Sequence, residues 1–142
     1  MRFGLLGKGI DYSFSRAYFA EKFKKEALDH CSYQNFDLPD LTDFKTVLQT
    51  PQLKGMNVTI PYKQEVMPFL DNLDEVSKAI GAVNTIVFNS DGTTTGYNTD
   101  YIGFQKSITP MITAEINAAL VLGTGGASKA VVYALHKMGI KI

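Results

Sequence analysis

Residues 82–98 read AVNTIVFNSDGTTTGYN, and this stretch decides the architecture. Two β-branched runs flank Ser90-Asp91-Gly92, and Asp-Gly between such runs marks a hairpin, because glycine accepts the positive φ of a tight turn. Here the chain must reverse into antiparallel strands. Upstream it alternates instead. Residues 2–6 form a short apolar run closed by Gly7, Lys8 and Gly9, as a buried strand ends in a loop. Phe14, Tyr18, Phe19 and Phe23 then recur at helical spacing, with lysine and glutamate on the opposite face.

The same alternation continues towards the hairpin. Residues 32–38 suit a second strand, after which Pro39-Asp40 opens a helix carrying Leu41, Phe44 and Leu48, and Pro51 closes it. Residues 55–60 suit a third strand. Pro61 fits a first helical position, where its missing N–H is not needed; Val66, Met67 and Leu70 continue that helix, and Pro68 kinks or ends it. A short helix over 72–80 stops at Gly81. Beyond the hairpin a helix spans 100–108, Pro110 punctuates, and residues 112–118 lead into a last apolar run. Alternating strands and helices with one hairpin specify an α/β fold: a three-layer domain around a mixed, mainly parallel sheet.

The bulk composition bounds the function. A chain of 142 residues fits one ordinary domain with a real core. Fourteen basic residues balance fourteen acidic ones, so no net charge draws the chain to nucleic acid or an anionic membrane, and small molecules or proteins are the expected partners. Cys31 is the single cysteine, which suits a reducing compartment, and the cytoplasm is expected. No apolar run approaches the ~18 residues of a membrane span, and the N-terminus lacks the apolar core of a signal peptide.

Open α/β sheets place ligands at the carboxyl ends of their strands, and four polar stretches fall there: residues 12–15, 57–63, 81–85 and 96–100. Ser13 and Ser15 offer hydroxyls at a helix N-terminus, which suits a carboxylate and equally suits plain capping. Thr59 and Lys63 are four residues apart across a strand-to-helix junction, so both can face one cleft. A lysine in a first helical turn opposes the macrodipole, which makes Lys63 a candidate for more than solvation. Asn84 stands in an apolar, β-branched run, where a buried amide needs partners or costs about 1–3 kcal/mol. Asp100 can cap the helix it begins, or serve chemistry. His30, Cys31 and His136 do not form a metal-ligand spacing, so no metal site is expected; nor is a Ser-His-Asp set. His136 is expected on the surface.

Taken in order, these stretches resemble the shikimate dehydrogenase family over almost the whole chain. The motifs are Ser13-Phe14-Ser15, N57VTIPYK63, G81AVNT85, G96YNTDYIG103 and G123TGGA127. The resemblance implies an NADP-dependent enzyme interconverting 3-dehydroshikimate and shikimate in aromatic (chorismate) biosynthesis. It implies that Ser13 and Ser15 hold the substrate carboxylate, that Thr59, Lys63, Asn84 and Asp100 bond its ring hydroxyls, and that Lys63 and Asp100 are the catalytic pair. Gly9, Tyr12 and Arg16 stand where family members often carry proline, histidine and proline, a departure at the carboxylate end that leaves a quinate-accepting relative as an alternative. A non-catalytic shikimate-binding module is the other.

Two domains are implied: 1–110 as the catalytic, substrate-binding one, and 111–142 as a linker with the truncated beginning of a dinucleotide-binding one. The latter is expected to comprise a strand at 119–122, a glycine turn at 123–127 and a helix at 128–138, the start of a Rossmann-like unit. Gly123, Gly125, Gly126 and Ala127 would let the backbone approach a pyrophosphate at the helix N-terminus, with Ser128 where a third glycine would stand. The residue that separates NAD from NADP lies ~20 positions past the turn, near position 143. The 142 residues alone are therefore expected to bind NADP feebly and to turn over little. Leu120, Val121, Val131, Val132 and Leu135 must find cover on the first domain, in another molecule, or stay mobile, and a homo-oligomer through this tail is one of these outcomes.

Overall fold

A computed structural model describes residues 1–142. Six strands, β1 (Arg2–Gly7), β2 (Ser32–Asp37), β3 (Leu53–Val58), β4 (Asn72–Leu73), β5 (Thr85–Phe88) and β6 (Thr94–Tyr97), form one sheet in the order β2-β1-β3-β5-β6-β4. The β1 strand runs parallel to β2 and β3, and β4 runs parallel to β6. The hairpin read from Asp91-Gly92 forms, and β5 is antiparallel to both of its neighbours. That single reversal sets the site. It brings the beginning of β5 beside the carboxyl ends of β3 and β6, pairing Thr85 with both Asn57 and Tyr97.

The helices are α1 (Phe14–Lys25), α2 (Phe44–Leu48), α3 (Glu75–Ile80), α4 (Asp100–Ile108) and α5 (Gly126–Lys137). Side chains alternate across strands, so Leu6, Met56 and Ile86 point one way into a core with Phe44, Tyr62 and Val66. Phe44 is fully buried, which stabilises the fold by about 2–3 kcal/mol relative to exposure. Phe3 and Tyr33 point the other way, towards α1: the Phe19 ring stacks on Tyr33 at 4.4 Å and Phe23 meets Phe3 at 5.9 Å. The mixed, three-layer α/β architecture is thus realised.

Several expected elements differ. The helix expected from Pro61 does not form: residues 61–66 are turns and 67–69 a short 3₁₀ segment, and the Ile60–Pro61 peptide bond is cis. Pro68 removes a donor in the middle of the stretch, so no second helical turn can be built. The helix expected over 72–80 is shorter, because Asn72 and Leu73 pair with β6 and the Asp74 carboxylate caps the start by accepting from Ser77 N–H at 2.9 Å. The helix after Pro39-Asp40 shrinks to Phe44–Leu48, since Asp40 instead accepts from Thr42 N–H and closes a local turn.

The strand expected at 119–122 is also absent. Ala118 makes one isolated parallel bridge with Lys141, in which Ala119 N–H donates to Lys141 O at 2.8 Å. A strand needs a ladder partner, and nothing else in the chain pairs with residues 119–122. The bridge is nevertheless parallel across α5, the connection of a βαβ unit. Of the tail's apolar residues, Leu135 finds cover within the chain: it is buried with Ala130 and Ala134, and Tyr133 of α5 meets Tyr101 of α4 edge-on at 5.3 Å. Leu120 and Leu122 stay exposed.

Candidate active site

The centre of the site is an ion pair. Lys63 Nζ donates to Asp100 Oδ2 at 2.7 Å, with both side chains partly buried. Lys63 lies in the turn after β3, not in a helix, so its misfit with a macrodipole is not what singles it out. Asp100 is the first residue of α4, and it does not cap that helix. Thr99 is the N-cap, and the Asp100 N–H is satisfied by Asn98 Oδ1 at 3.0 Å. Both carboxylate oxygens are therefore free to face sideways. Asn98 is itself buried and donates to Ala82 O at 3.0 Å, which pins the loop that presents Asp100.

Asn84 completes the cluster. Its Nδ2 donates to Asp100 Oδ1 at 2.8 Å and to Thr99 Oγ1 at 2.9 Å, while its Oδ1 accepts from Thr99 N–H at 2.9 Å and from Thr85 Oγ1 at 3.1 Å. The buried amide has the partners its environment demands. Thr59 sits beside the end of β1, its N–H donating to Leu6 O at 2.8 Å, and its hydroxyl makes no hydrogen bond within the chain. Lys63, Asn84 and Asp100 are brought into direct contact, and Thr59 makes no hydrogen bond to any of them.

Ser13 is the N-cap of α1, and its Oγ accepts from Ser15 N–H at 3.2 Å. The loop before it is held by Asp37, which accepts from Gly9 N–H and Ile10 N–H at 2.8 and 2.9 Å. The Ser15 hydroxyl lies beside Tyr33. Burial pushes the Tyr33 phenol up to about 12, and its hydrogen bond with Ser15 acts in the opposite direction. Tyr33 Oη in turn donates to Asn57 Oδ1 at 2.9 Å. A cavity of about 400 Å³ lies between α1 and the sheet, with Phe3, Phe19, Phe23, Tyr33, Asn57 and Thr85 on its walls and none of Lys63, Asn84 or Asp100 among them.

Asn57, Thr85, Thr99 and Tyr33 were not singled out from sequence. Asn57 and Thr85 stand inside the quoted motifs, and strand alternation puts them on the α1 face, a signal that could have found them. Tyr33 carries no motif and is revealed only by packing. No three His, Cys, Asp or Glu side chains come together as metal ligands, and no helix is long and apolar enough to cross a membrane. His136 is exposed.

The glycine turn meets this cluster from the side. Gly126 is buried, and a Cβ there would come within 2.8 Å of Lys63 Cβ and 3.2 Å of Ala82 Cβ. Gly123 (φ +116°) lies in the region that favours glycine, and a Cβ on it would sit 2.9 Å from Ser128 Oγ. Gly125 is the N-cap of α5 with no side-chain cap bond, and Gly125 and Ala127 are exposed. The first N–H groups of a twelve-residue helix thus open outward, an arrangement that fits a pyrophosphate.

The sequence model of the shikimate dehydrogenase substrate binding domain matches residues 5–86. The chain belongs to the shikimate dehydrogenase family. The NADP(+) shikimate dehydrogenase of Staphylococcus aureus strain MRSA252 is 38% identical over 141 residues, covering 96% of this chain and 52% of that protein. The solved shikimate dehydrogenase of Aquifex aeolicus aligns with a TM-score of 0.87 at 39% identity, covering 99% of this chain and 53% of that one. A quinate dehydrogenase from Corynebacterium glutamicum, solved with NAD, aligns at 0.84 and 34% identity, covering 99% and 52%. The chain spans about half the length of these shikimate dehydrogenase family relatives.

Proposed function

We propose that this chain is the substrate-holding part of an NADP-dependent shikimate dehydrogenase, which reduces 3-dehydroshikimate to shikimate reversibly. The observation that carries the reading is the Lys63–Asp100–Asn84 cluster, with contacts of 2.7 and 2.8 Å at the strand ends of a chain of this family. Residues 1–110 form the substrate-binding unit, and 111–142 a linker and the opening of a dinucleotide-binding unit. Ser13 and Ser15 hold the carboxylate. Thr59, Lys63, Asn84 and Asp100 bond the ring hydroxyls.

NADP(H), when bound, supplies or accepts the hydride at the carbinol carbon. The turn residues Gly123, Gly125, Gly126 and Ala127 would hold its pyrophosphate. In the reductive direction the carbonyl oxygen gains negative charge as its carbon is reduced, and the Lys63 ammonium, fixed by Asp100, stabilises that charge and gives the oxygen a proton. In the oxidative direction the hydroxyl proton returns to Lys63. Asn84, tied on four sides, keeps Asp100 from swinging away from Lys63.

A second reading is a quinate-accepting enzyme, favoured by the alignment with the quinate dehydrogenase and by Tyr12 and Arg16 at the carboxylate end. The single thiol, Cys31, suits a cytoplasmic setting. The exposed Leu120 and Leu122 support self-association through the tail. Calorimetric titration of the 142-residue chain with shikimate, quinate and NADP tests these readings. Shikimate binding that Lys63→Ala abolishes is expected; heat from quinate alone would favour the second reading, and heat from none would sink both.

A further inference from the structure

The side chains between α1 and Asp100 form one hydrogen-bonded line with a single direction. Tyr33 Oη donates to Asn57 Oδ1 (2.9 Å), Asn57 Nδ2 to Thr85 Oγ1 (3.5 Å), Thr85 Oγ1 to Asn84 Oδ1 (3.1 Å) and Asn84 Nδ2 to Asp100 Oδ1 (2.8 Å). Lys63 closes the line from the other side, on Asp100 Oδ2. Every donor points towards the one carboxylate. Tyr33 can act only as a donor to Asn57 Oδ1, an acceptor, and this choice fixes which end of the Asn57 amide gives and which receives, in the same sense that Thr99 N–H and Asp100 impose on the Asn84 amide. Such chains polarise one another, so a break at one end is felt at the other.

We propose that Tyr33 and Thr85 are positioning residues of this site, acting through Asn57 and Asn84 to fix the orientation of the Asn84 amide and the Asp100 carboxylate that grip the substrate. Removing the Tyr33 hydroxyl lets the Asn57 amide turn and takes from Thr85 the donor that directs its hydroxyl onto Asn84 Oδ1, one of the four contacts that hold the Asn84 amide, while Thr99 and Asp100 keep the other three. The Tyr33 ring also stacks on Phe19 of α1 at 4.4 Å, so the residue that starts the line is itself held by α1 while its hydroxyl holds Asn57 of β3. The inference rests on the shikimate reading of the site for its ligand, but not for the chain itself.

The test uses the 142-residue chain and the variants Tyr33→Phe, Thr85→Val, Thr85→Ser and the double Tyr33→Phe/Thr85→Val. Phenylalanine and valine delete a hydroxyl at nearly constant shape, and serine keeps it. Calorimetry with shikimate should show Tyr33→Phe and Thr85→Val each weakening affinity on the order of fivefold, as for one lost hydrogen bond. Thr85→Ser should bind like the wild type, and the double variant no more weakly than Thr85→Val, because one line can be broken only once. The side-chain amide ¹⁵N–¹H resonances of Asn84 in the unliganded chain should move in Tyr33→Phe, although Tyr33 does not touch Asn84. Losses that multiply in the double variant, or a Tyr33→Phe protein with unchanged affinity and unchanged Asn84 resonances, would overturn the proposal. If the wild-type chain binds no shikimate, the functional reading fails, and the Asn84 resonances alone decide the inference.

Discussion

Asp100 occupies a place where helices commonly put a capping carboxylate, yet Asn98 Oδ1 accepts from the Asp100 N–H and both Asp100 oxygens are left to Lys63 and Asn84. Lys63→Met keeps the length of the stem and deletes the ammonium. A charge-assisted hydrogen bond contributes roughly 1.5–3 kcal/mol, so we expect shikimate affinity to fall by at least about tenfold, read by calorimetry, with thermal stability changed much less. An unchanged affinity would remove Lys63 from the site. Tyr33 gives a prediction in pH. Its phenol is raised from 10.0 to about 12 because burial disfavours the phenolate. The sign follows: neutral Tyr33 favours the folded state, so this contribution is complete below the unfolded value and is lost as pH climbs through the folded one. Thermal unfolding followed from about pH 9 to about pH 12 should fall more steeply for the wild type than for Tyr33→Phe. Parallel curves would mean that Tyr33 ionises freely.

At the scale of elements, the close approach of α5 to the turn carrying Lys63 is the contact with the sharpest consequence. Gly126→Ala would put a methyl 2.8 Å from Lys63 Cβ and 3.2 Å from Ala82 Cβ. Alanine gains at most about 1 kcal/mol of helix propensity over glycine, whereas overpacking a tight contact costs about 1–3 kcal/mol. The clash wins or nearly balances, and α5 and Lys63 must move apart. We expect a lowered melting temperature together with weaker shikimate binding; Gly103→Ala, whose Cβ would meet nothing within 4 Å, should lower neither. A Gly126→Ala protein that binds and melts like the wild type would show that the two elements are not coupled. The same contacts explain what the sequence could and could not say. The hairpin, α1 and α4 are governed by local signals: a turn dipeptide, a four-aromatic stripe, a loop of capping residues. The stretch after Pro61 and the run at 119–122 depend on partners far along the chain, and neither periodicity nor propensity reports those. Asn84 stands out locally as an amide in an apolar, β-branched run, whereas Lys63 and Asp100 are singled out only by the motifs that carry the family resemblance; Tyr33 is not, because an aromatic on a half-buried strand is ordinary until its hydroxyl is seen to meet Asn57.

At the scale of the whole molecule, the antiparallel β5 gathers four separate segments at one end of the sheet, and α4 and α5 carry the chain away from it. Where α5 is covered by α3 and α4, its small face is buried; the extended approach to it is not. Leu120 is 85% exposed and Leu122 84%. Burying a leucine is worth about 1.5–3 kcal/mol, so two from each of two copies supply about 6–12 kcal/mol, against an association cost of about 4–15 kcal/mol. The balance allows only a weak complex. Sedimentation velocity should therefore show a monomer at low micromolar concentration that shifts to a larger species towards the millimolar range, where a free energy of about −4 kcal/mol suffices. The double variant Leu120→Ser/Leu122→Ser should stay monomeric throughout while binding shikimate as before, since neither residue touches the Lys63 cluster. A wild-type chain that remains monomeric at the highest concentration would show that these leucines are covered in some other way, and a variant that still associates would place the interface elsewhere on the surface.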